Sequence, residues 1–199
     1  MLDLIIKNGK CYIDGELRDV DVAVKDKKIH KIGQISEEAK EVIDANAHTV
    51  LPGCIDTQTH FREPGSTDTE DLHSGSRAAI AGGITSVFEM PNTNPPTSNK
   101  KEFQRKLDLA KNRMYCNYAF YFGATADNAD DLASLKDLEG CCGIKLFAGS
   151  STGSLLVSQE KDIEKVISNS SKIISVHSED ENILLSRKKF IKEDDVASH

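Results

Sequence analysis

The sequence predicts an α/β chain in two parts: a short all-β segment over residues 1–50, then, over 51–199, about five strand–loop–helix units of a partial (β/α)8 barrel. Three observations lead there. Short apolar runs separated by turn residues fill the first part. From Val50 the rhythm changes to strand, loop, helix, repeated, which implies a parallel sheet. Polar residues gather where those strands end, as on the C-terminal face of a barrel, where such folds carry their chemistry. A doubly wound sheet is the competing topology. Against it, no Gly-x-Gly-x-x-Gly follows the first strand, and polar residues recur after strands one, two, four and five.

In the first part, Leu4-Ile5-Ile6 is followed by Asn8-Gly9, a hairpin signal, and Asp14-Gly15 repeats the device after Cys11-Tyr12-Ile13. Val20 to Val24 and Lys28 to Ile32 alternate apolar and polar residues, and Glu41 to Ala45 reads as one more strand. In the second part, the apolar run Val50 to Ile55 reads as a buried strand delivering Gln58, His60 and Arg62 into a loop. Alternation along a strand lets these three share a direction. A helix over Asp68–Ala81 ends at Gly82-Gly83. A strand over Ile84–Met90 runs into the proline-rich loop Pro91–Pro96. Ser98 opens a second helix to about Asn112, with Glu102 near the capping-box position. Strand Cys116–Gly123, helix Asp127–Leu138, strand Gly143–Phe147 and helix Glu160–Ser168 follow. Strand Ile173–Val176 ends at His177, and the last helix spans Glu179–Phe190.

Bulk properties exclude several classes. The 199 residues suit one large domain or two small ones, and 38% hydrophobic with 29% charged residues is ordinary for a globular chain. A net charge of −7 leaves no basic patch for nucleic acid and no polybasic membrane anchor. The five cysteines include adjacent Cys141 and Cys142 but no Cys-x-x-Cys, which reads as reduced thiols of a cytosolic protein. The first apolar run is too short for a signal peptide, and no stretch approaches the roughly 18 apolar residues of a membrane span. A soluble, cytoplasmic protein is expected.

Candidate site residues stand at the strand ends. A histidine and a guanidinium, His60 and Arg62, converge after the first barrel strand and suit a metal or an anion; an ordinary solvated loop is the alternative. Lys145 lies inside the apolar run Gly-Ile-Lys-Leu-Phe, where an amine is costly unless neutralised or paired; at a sheet edge it would instead snorkel outward. His177, closing a strand, is a candidate metal ligand or a structural histidine. Asn92 is a directed amide or a turn residue. The loop Gly149–Gly153 could offer backbone donors to an anion or be a plain turn. His30, His48, His73 and His199 read as surface residues.

The run Gly-Cys-Ile-Asp-Thr-Gln-Thr-His-Phe-Arg-Glu-Pro-Gly, residues 53–65, resembles the signature of dihydroorotases, within the cyclic amidohydrolases that include dihydropyrimidinase and allantoinase. It keeps Asp56, His60, Phe61, Arg62, Glu63, Pro64 and Gly65, and departs at Gln58, where the family usually carries a metal-binding histidine. The resemblance implies a β-sandwich begun by residues 1–50 and the first half of an amidohydrolase barrel over 51–199. It implies hydrolysis of dihydroorotate to N-carbamoyl-aspartate in pyrimidine synthesis. His60, Lys145 and His177 match metal-binding positions, with Lys145 as the lysine that some members carbamylate. Arg62 matches the arginine that binds the substrate carboxylate and Asn92 the asparagine supporting it. One or two Zn2+ ions are implied, held more weakly because a glutamine carbonyl is a poor zinc ligand. A closed barrel needs eight units and about 250 residues, so the chain reads as a truncated, N-terminal part, with the general-base aspartate expected beyond residue 199. The partners expected are the small-molecule substrate and, beyond it, a homo-oligomer, a missing C-terminal half or aspartate transcarbamoylase. The alternatives are a non-catalytic homologue acting as a scaffold and an inactive gene remnant.

Overall fold

The computed structural model describes residues 1–150 and 153–196. The chain divides into two compact units, Met1–Gly53 and Cys54–His199.

The first unit is one mixed sheet of β1 (Leu2–Ile13), β2 (Glu16–Lys25), β3 (Lys28–Gly33), β4 (Ala39–Asp44) and the short β5 (Thr49–Val50). Its order is β3-β2-β1-β4, with β5 also on β1; β2 is antiparallel to β1, and β4 and β5 are parallel to it. Asp14 and Gly15 have φ of 51° and 89°, and Asp26 and Lys27 have 51° and 61°. Both two-residue hairpins therefore take the left-handed conformation that matches strand twist. Leu2, Ile5, Ala23 and Ile35 form the small core.

Asn8-Gly9 is not a hairpin. β1 runs straight through it, and the register slips between Ile6 and Gly9 as at a β-bulge. Asn8 still takes φ 58°, but its N–H donates to Asp21 and its amide to Asp44, so neighbouring strands hold it inside the sheet. At Gly9 a Cβ would meet the Val50 side chain at 2.6 Å, so β5 approaches where only glycine fits.

The second unit is a parallel sheet whose order follows the chain: β6 (Cys54–Thr59), β7 (Ile84–Glu89), β8 (Asn117–Gly123), β9 (Cys141–Phe147) and β10 (Ile174–His177). The connections carry α1 (Leu72–Ala81), α2 (Lys100–Ala110), a 3-10 helix (Ala129–Leu135) and α3 (Glu160–Asn169); α4 (Glu181–Arg187) follows β10. One face of the sheet, with Val87, Phe120, Phe122, Ile144 and Leu146, packs against Leu72, Phe103, Leu132 and Val166 of the helical layer. By strand alternation Tyr121, Lys145 and Phe147 belong to the opposite face.

Several boundaries differ from expectation. Pro52 and Gly53 split the run at Val50, which pairs with β1 as part of β5, and β6 starts at Cys54. α1 starts at Leu72 because Asp71 caps it reciprocally with Ser74. Asn99, not Ser98, caps α2 by accepting from the Glu102 N–H. The helix expected over Asp127–Leu138 is only a 3-10 segment. Asn128 spends its side chain on Thr125 N–H and on the carbonyls of Ser98 and Gly123, which fastens the segment to the end of β8 instead of capping a regular helix. α4 stops at Arg187 and continues as a 3-10 turn, Lys188–Phe190. Among the described residues no helix is long and apolar enough to cross a membrane.

Candidate functional site

The loop leaving β6 is fastened before its side chains are placed. Glu63 is buried and its carboxylate accepts from Leu72 N–H at 3.0 Å and from both terminal nitrogens of Arg113 at 2.8 and 3.1 Å. This two-pronged, charge-assisted contact ties the loop to the start of α1 and the segment after α2. Pro64 accepts from Asn94 N–H at 3.0 Å, joining this loop to the one that leaves β7. Gly65, at φ 124°, sits where a Cβ would press on Asn94 at 3.1 Å.

The loop after β7 is held as firmly. Met90 N–H donates to Thr59 carbonyl at 2.9 Å, and Pro91 carbonyl accepts from Thr93 and Thr97 N–H, both at 2.9 Å. His60 and Asn92 meet across the two loops, with His60 Nδ1 2.9 Å from Asn92 Oδ1. An amide oxygen only accepts, so Nδ1 carries the proton. Nε2 is left without a partner among the described residues. Burial lowers the His60 pKa below 6.5; the Asn92 bond opposes this, and the charges of Arg62, Lys145 and Lys106 add to it. The lowered pKa favours the neutral imidazole, the form that a metal ligand or a hydrogen-bond acceptor at Nε2 requires.

Arg62 and Asn92 line one cleft of about 400 Å³, together with Ser66, Asn94, Ser154 and Leu155. Lys145 is 2% exposed on β9, an interior strand with Gly123 and Ser175 as its register partners. The outward-snorkelling alternative does not hold there. Its Nζ lies 5.0 Å from the centroid of the Phe147 ring and makes no hydrogen bond or ion pair among the described residues. Burial lowers its pKa. His177 ends β10 opposite Phe147, its ring 6.0 Å from that of Phe147, with Nε2 2.7 Å from Glu179. The Phe147 ring thus contacts both Lys145 and His177. Gln58 is exposed on β6, its N–H on the Asp56 carboxylate at 2.9 Å. The anion reading of Gly149–Gly153 falls partly outside the described residues, as does the surface reading of His199.

Whether these residues suit a metal is decided by their donors. No three His, Cys, Asp or Glu side chains converge among the described residues. What does fit is a buried lysine, Lys145, with no hydrogen bond or ion pair among the described residues, and a half-buried imidazole with one nitrogen unspent. A lysine that gained an acidic, oxygen-bearing group would complete the set; the bare ammonium does not.

Sequence reading missed a buried ion pair beneath the site. Glu89, the last residue of β7, pairs with Lys106 of α2, and neither side chain is more than 1% exposed. Lys106 Nζ also donates to Met90 carbonyl at 2.9 Å. Burial pushes Glu89 up to about 8 against the pull of Lys106, and burial lowers Lys106. Two signals were available: a carboxylate in the apolar run Ser-Val-Phe-Glu-Met, and a lysine three residues after Phe103 and four before Ala110, on the apolar stripe of α2.

Comparison with known proteins accords with this geometry. The sequence pattern of the amidohydrolase family matches residues 49–195. A dihydroorotase of Methanosarcina mazei is 35% identical over 199 residues, covering 98% of this chain and 43% of that protein. An allantoinase of Escherichia coli is 42% identical over 149 residues, covering 74% of this chain and 33% of the relative. Among solved structures, the L-hydantoinase (dihydropyrimidinase) of Arthrobacter aurescens superposes with a TM-score of 0.87 at 27% identity, over 95% of this chain and 43% of that one. The dihydropyrimidinase of Brevibacillus agri gives 0.79 at 26% identity, over 95% and 42%. The chain thus spans less than half the length of the relatives it matches. With the family pattern running through both loops and the whole parallel sheet, and with dihydroorotases and allantoinases among its relatives, this chain belongs to the amidohydrolase family.

Proposed function

We propose that the chain forms part of a dihydroorotase-type cyclic amidohydrolase, which adds water across a ring amide of dihydroorotate to give N-carbamoyl-aspartate in pyrimidine synthesis. One observation carries this reading: Arg62 and Asn92 face one cleft, and Asn92 is bonded to a neutral His60. A guanidinium grips a carboxylate with two parallel hydrogen bonds. Dihydroorotate carries such a carboxylate, and the dihydropyrimidine ring does not.

In this reading His60 and His177, with Lys145 as its carbamate, hold one or two zinc ions, and bound zinc supplies an activated water and a polarised carbonyl. Arg62 orients the substrate through its carboxylate, and Asn92 fixes the imidazole beside it. No carboxylate is among the described residues that line the cleft, so the group that moves the proton comes from elsewhere. The parallel strands are read as part of a (β/α)8 barrel over 51–199, and the first sheet, over 1–50, as part of a β-sandwich. A cytoplasmic setting and association with a complementary half, a second copy or aspartate transcarbamoylase belong to the same proposal. Gln58 favours a second reading, a non-catalytic scaffold, because it stands where a relative's metal-binding histidine is expected.

Two measurements separate these readings. Elemental mass spectrometry of the purified, unchelated protein is expected to find zinc, lost on His60→Ala or His177→Ala. Turnover of dihydroorotate is expected to exceed that of hydantoin and allantoin, and Arg62→Gln to raise KM about 10- to 100-fold, the loss of a charged hydrogen-bonded contact. Absence of both zinc and turnover would leave the scaffold.

A further inference from the structure

We propose that Lys106 and Glu89 are positioning residues that set the tautomer of His60 from beneath the site. The argument follows a chain of contacts. Lys106 reaches through the helical layer and donates to Met90 carbonyl at 2.9 Å. The other side of Met90 is also fixed, its N–H on Thr59 carbonyl at 2.9 Å, one residue before His60. Met90 is fully buried and is followed by Pro91, whose ring restricts the backbone leading to Asn92. Asn92 then presents its oxygen to His60 Nδ1. Glu89, adjacent in sequence and wholly buried, gives Lys106 its one carboxylate partner among the described residues and holds it in place, with the Phe120 ring 5.3 Å from Nζ.

Both ends of this chain matter. Without Lys106, Met90 carbonyl would be a buried acceptor with no donor, and the loop would move to find one. Asn92 would lose its fixed seat, and Nδ1 and Nε2 would compete for the proton. A second group that bonds one ring nitrogen decides what the other is free to do. The pair thus acts through Asn92 and touches no substrate. The inference rests on the reading of His60 as a ligand only for its consequence; the tautomer itself is independent of it.

The test is nitrogen-15 NMR of the histidine rings in the full chain, free of metal. His60 is expected in a single Nδ1–H form in the unaltered protein. The double variant Glu89→Leu/Lys106→Met replaces the pair with apolar groups of similar bulk and is expected to fold, since such exchanges are often neutral. In it His60 is expected as a mixture of the two forms, and Zn2+ titration should show affinity about 10- to 100-fold weaker. A folded double variant with His60 still wholly Nδ1–H overturns the proposal. A second measurement needs no variant: a coupling through the hydrogen bond from Lys106 Nζ to Met90 carbonyl carbon is expected in the unaltered chain, and its absence overturns the proposal as well. Neither NMR readout involves metal or substrate, so a chain that hydrolyses no cyclic amide fails the functional reading and leaves this one standing.

Discussion

Each face of the parallel sheet buries a lysine, and the two faces treat it in opposite ways. On the helical side Lys106 has the Glu89 carboxylate and Met90 carbonyl within reach. On the other side Lys145 has the Phe147 ring and, among the described residues, no hydrogen bond or ion pair. Burial lowers the pKa of both amines. An amine taken out of water has to be paired, hydrogen-bonded or neutralised. The first lysine is, so it can be read as structure. The second has no such partner among the described residues, and a buried ionisable group with a perturbed pKa is a candidate for chemistry.

The largest effect should come from breaking the compensated side. Lys106→Met leaves Glu89 buried and unpaired, and urea unfolding should show a loss of about 3–5 kcal/mol. Glu89→Leu/Lys106→Met should recover most of that. If single and double variants are equally unstable, the pair is not what distinguishes the two faces. A buried carboxylate elsewhere calibrates the scale: Arg113→Met removes both guanidinium contacts to Glu63 and should cost about 1–3 kcal/mol in the same measurement.

Lys145 should respond with the opposite sign. Lys145→Met removes a buried amine whose charged form burial disfavours, and thermal unfolding of the metal-free chain should show a gain of about 1 kcal/mol. Destabilisation instead would mean that Lys145 has a partner, and the contrast would vanish. The smallest effect lies at His60. Its NMR titration should fall below the ordinary 6.5, chiefly because of burial, and should rise by a fraction of a unit in Lys145→Met. The sign for stability follows. Between the folded midpoint and 6.5 the unfolded chain binds a proton that the native chain does not, so stability falls as pH is lowered through that window.

Much of this was legible in the residues. The change of rhythm at Val50 and the polar strand ends foretold the parallel sheet, and its last four strands came within two residues of their observed limits; the first, expected as a buried strand over Val50–Ile55, runs Cys54–Thr59 and is largely exposed. The residues around His60 and the loop at Asn92 were singled out as candidates, and Arg62 and Asn92 line one cleft. What failed was local chemistry overruled by neighbours. Asn8-Gly9 has turn chemistry, but β2 on one side and β4 and β5 on the other absorb it as a bulge. The segment at Asp127 has helical composition, but Asn128 is drawn away to β8. The Glu89–Lys106 contact joins a strand end to a helix face, and nothing in either segment alone names the other.

The two sheets also differ in when they can be made. In the second unit each strand's sheet neighbour is the one synthesised next to it, so a ribosome could hand over the layers one by one, each docking on a finished template. In the first, Leu2 is paired with Ala39 and Lys10 with Thr49. One side of β1 has to wait, its backbone groups open to chaperones or to other nascent chains, until the polypeptide has lengthened past Val50. Translation order is therefore assembly order for the unit that carries the cleft, and a delay for the unit that precedes it.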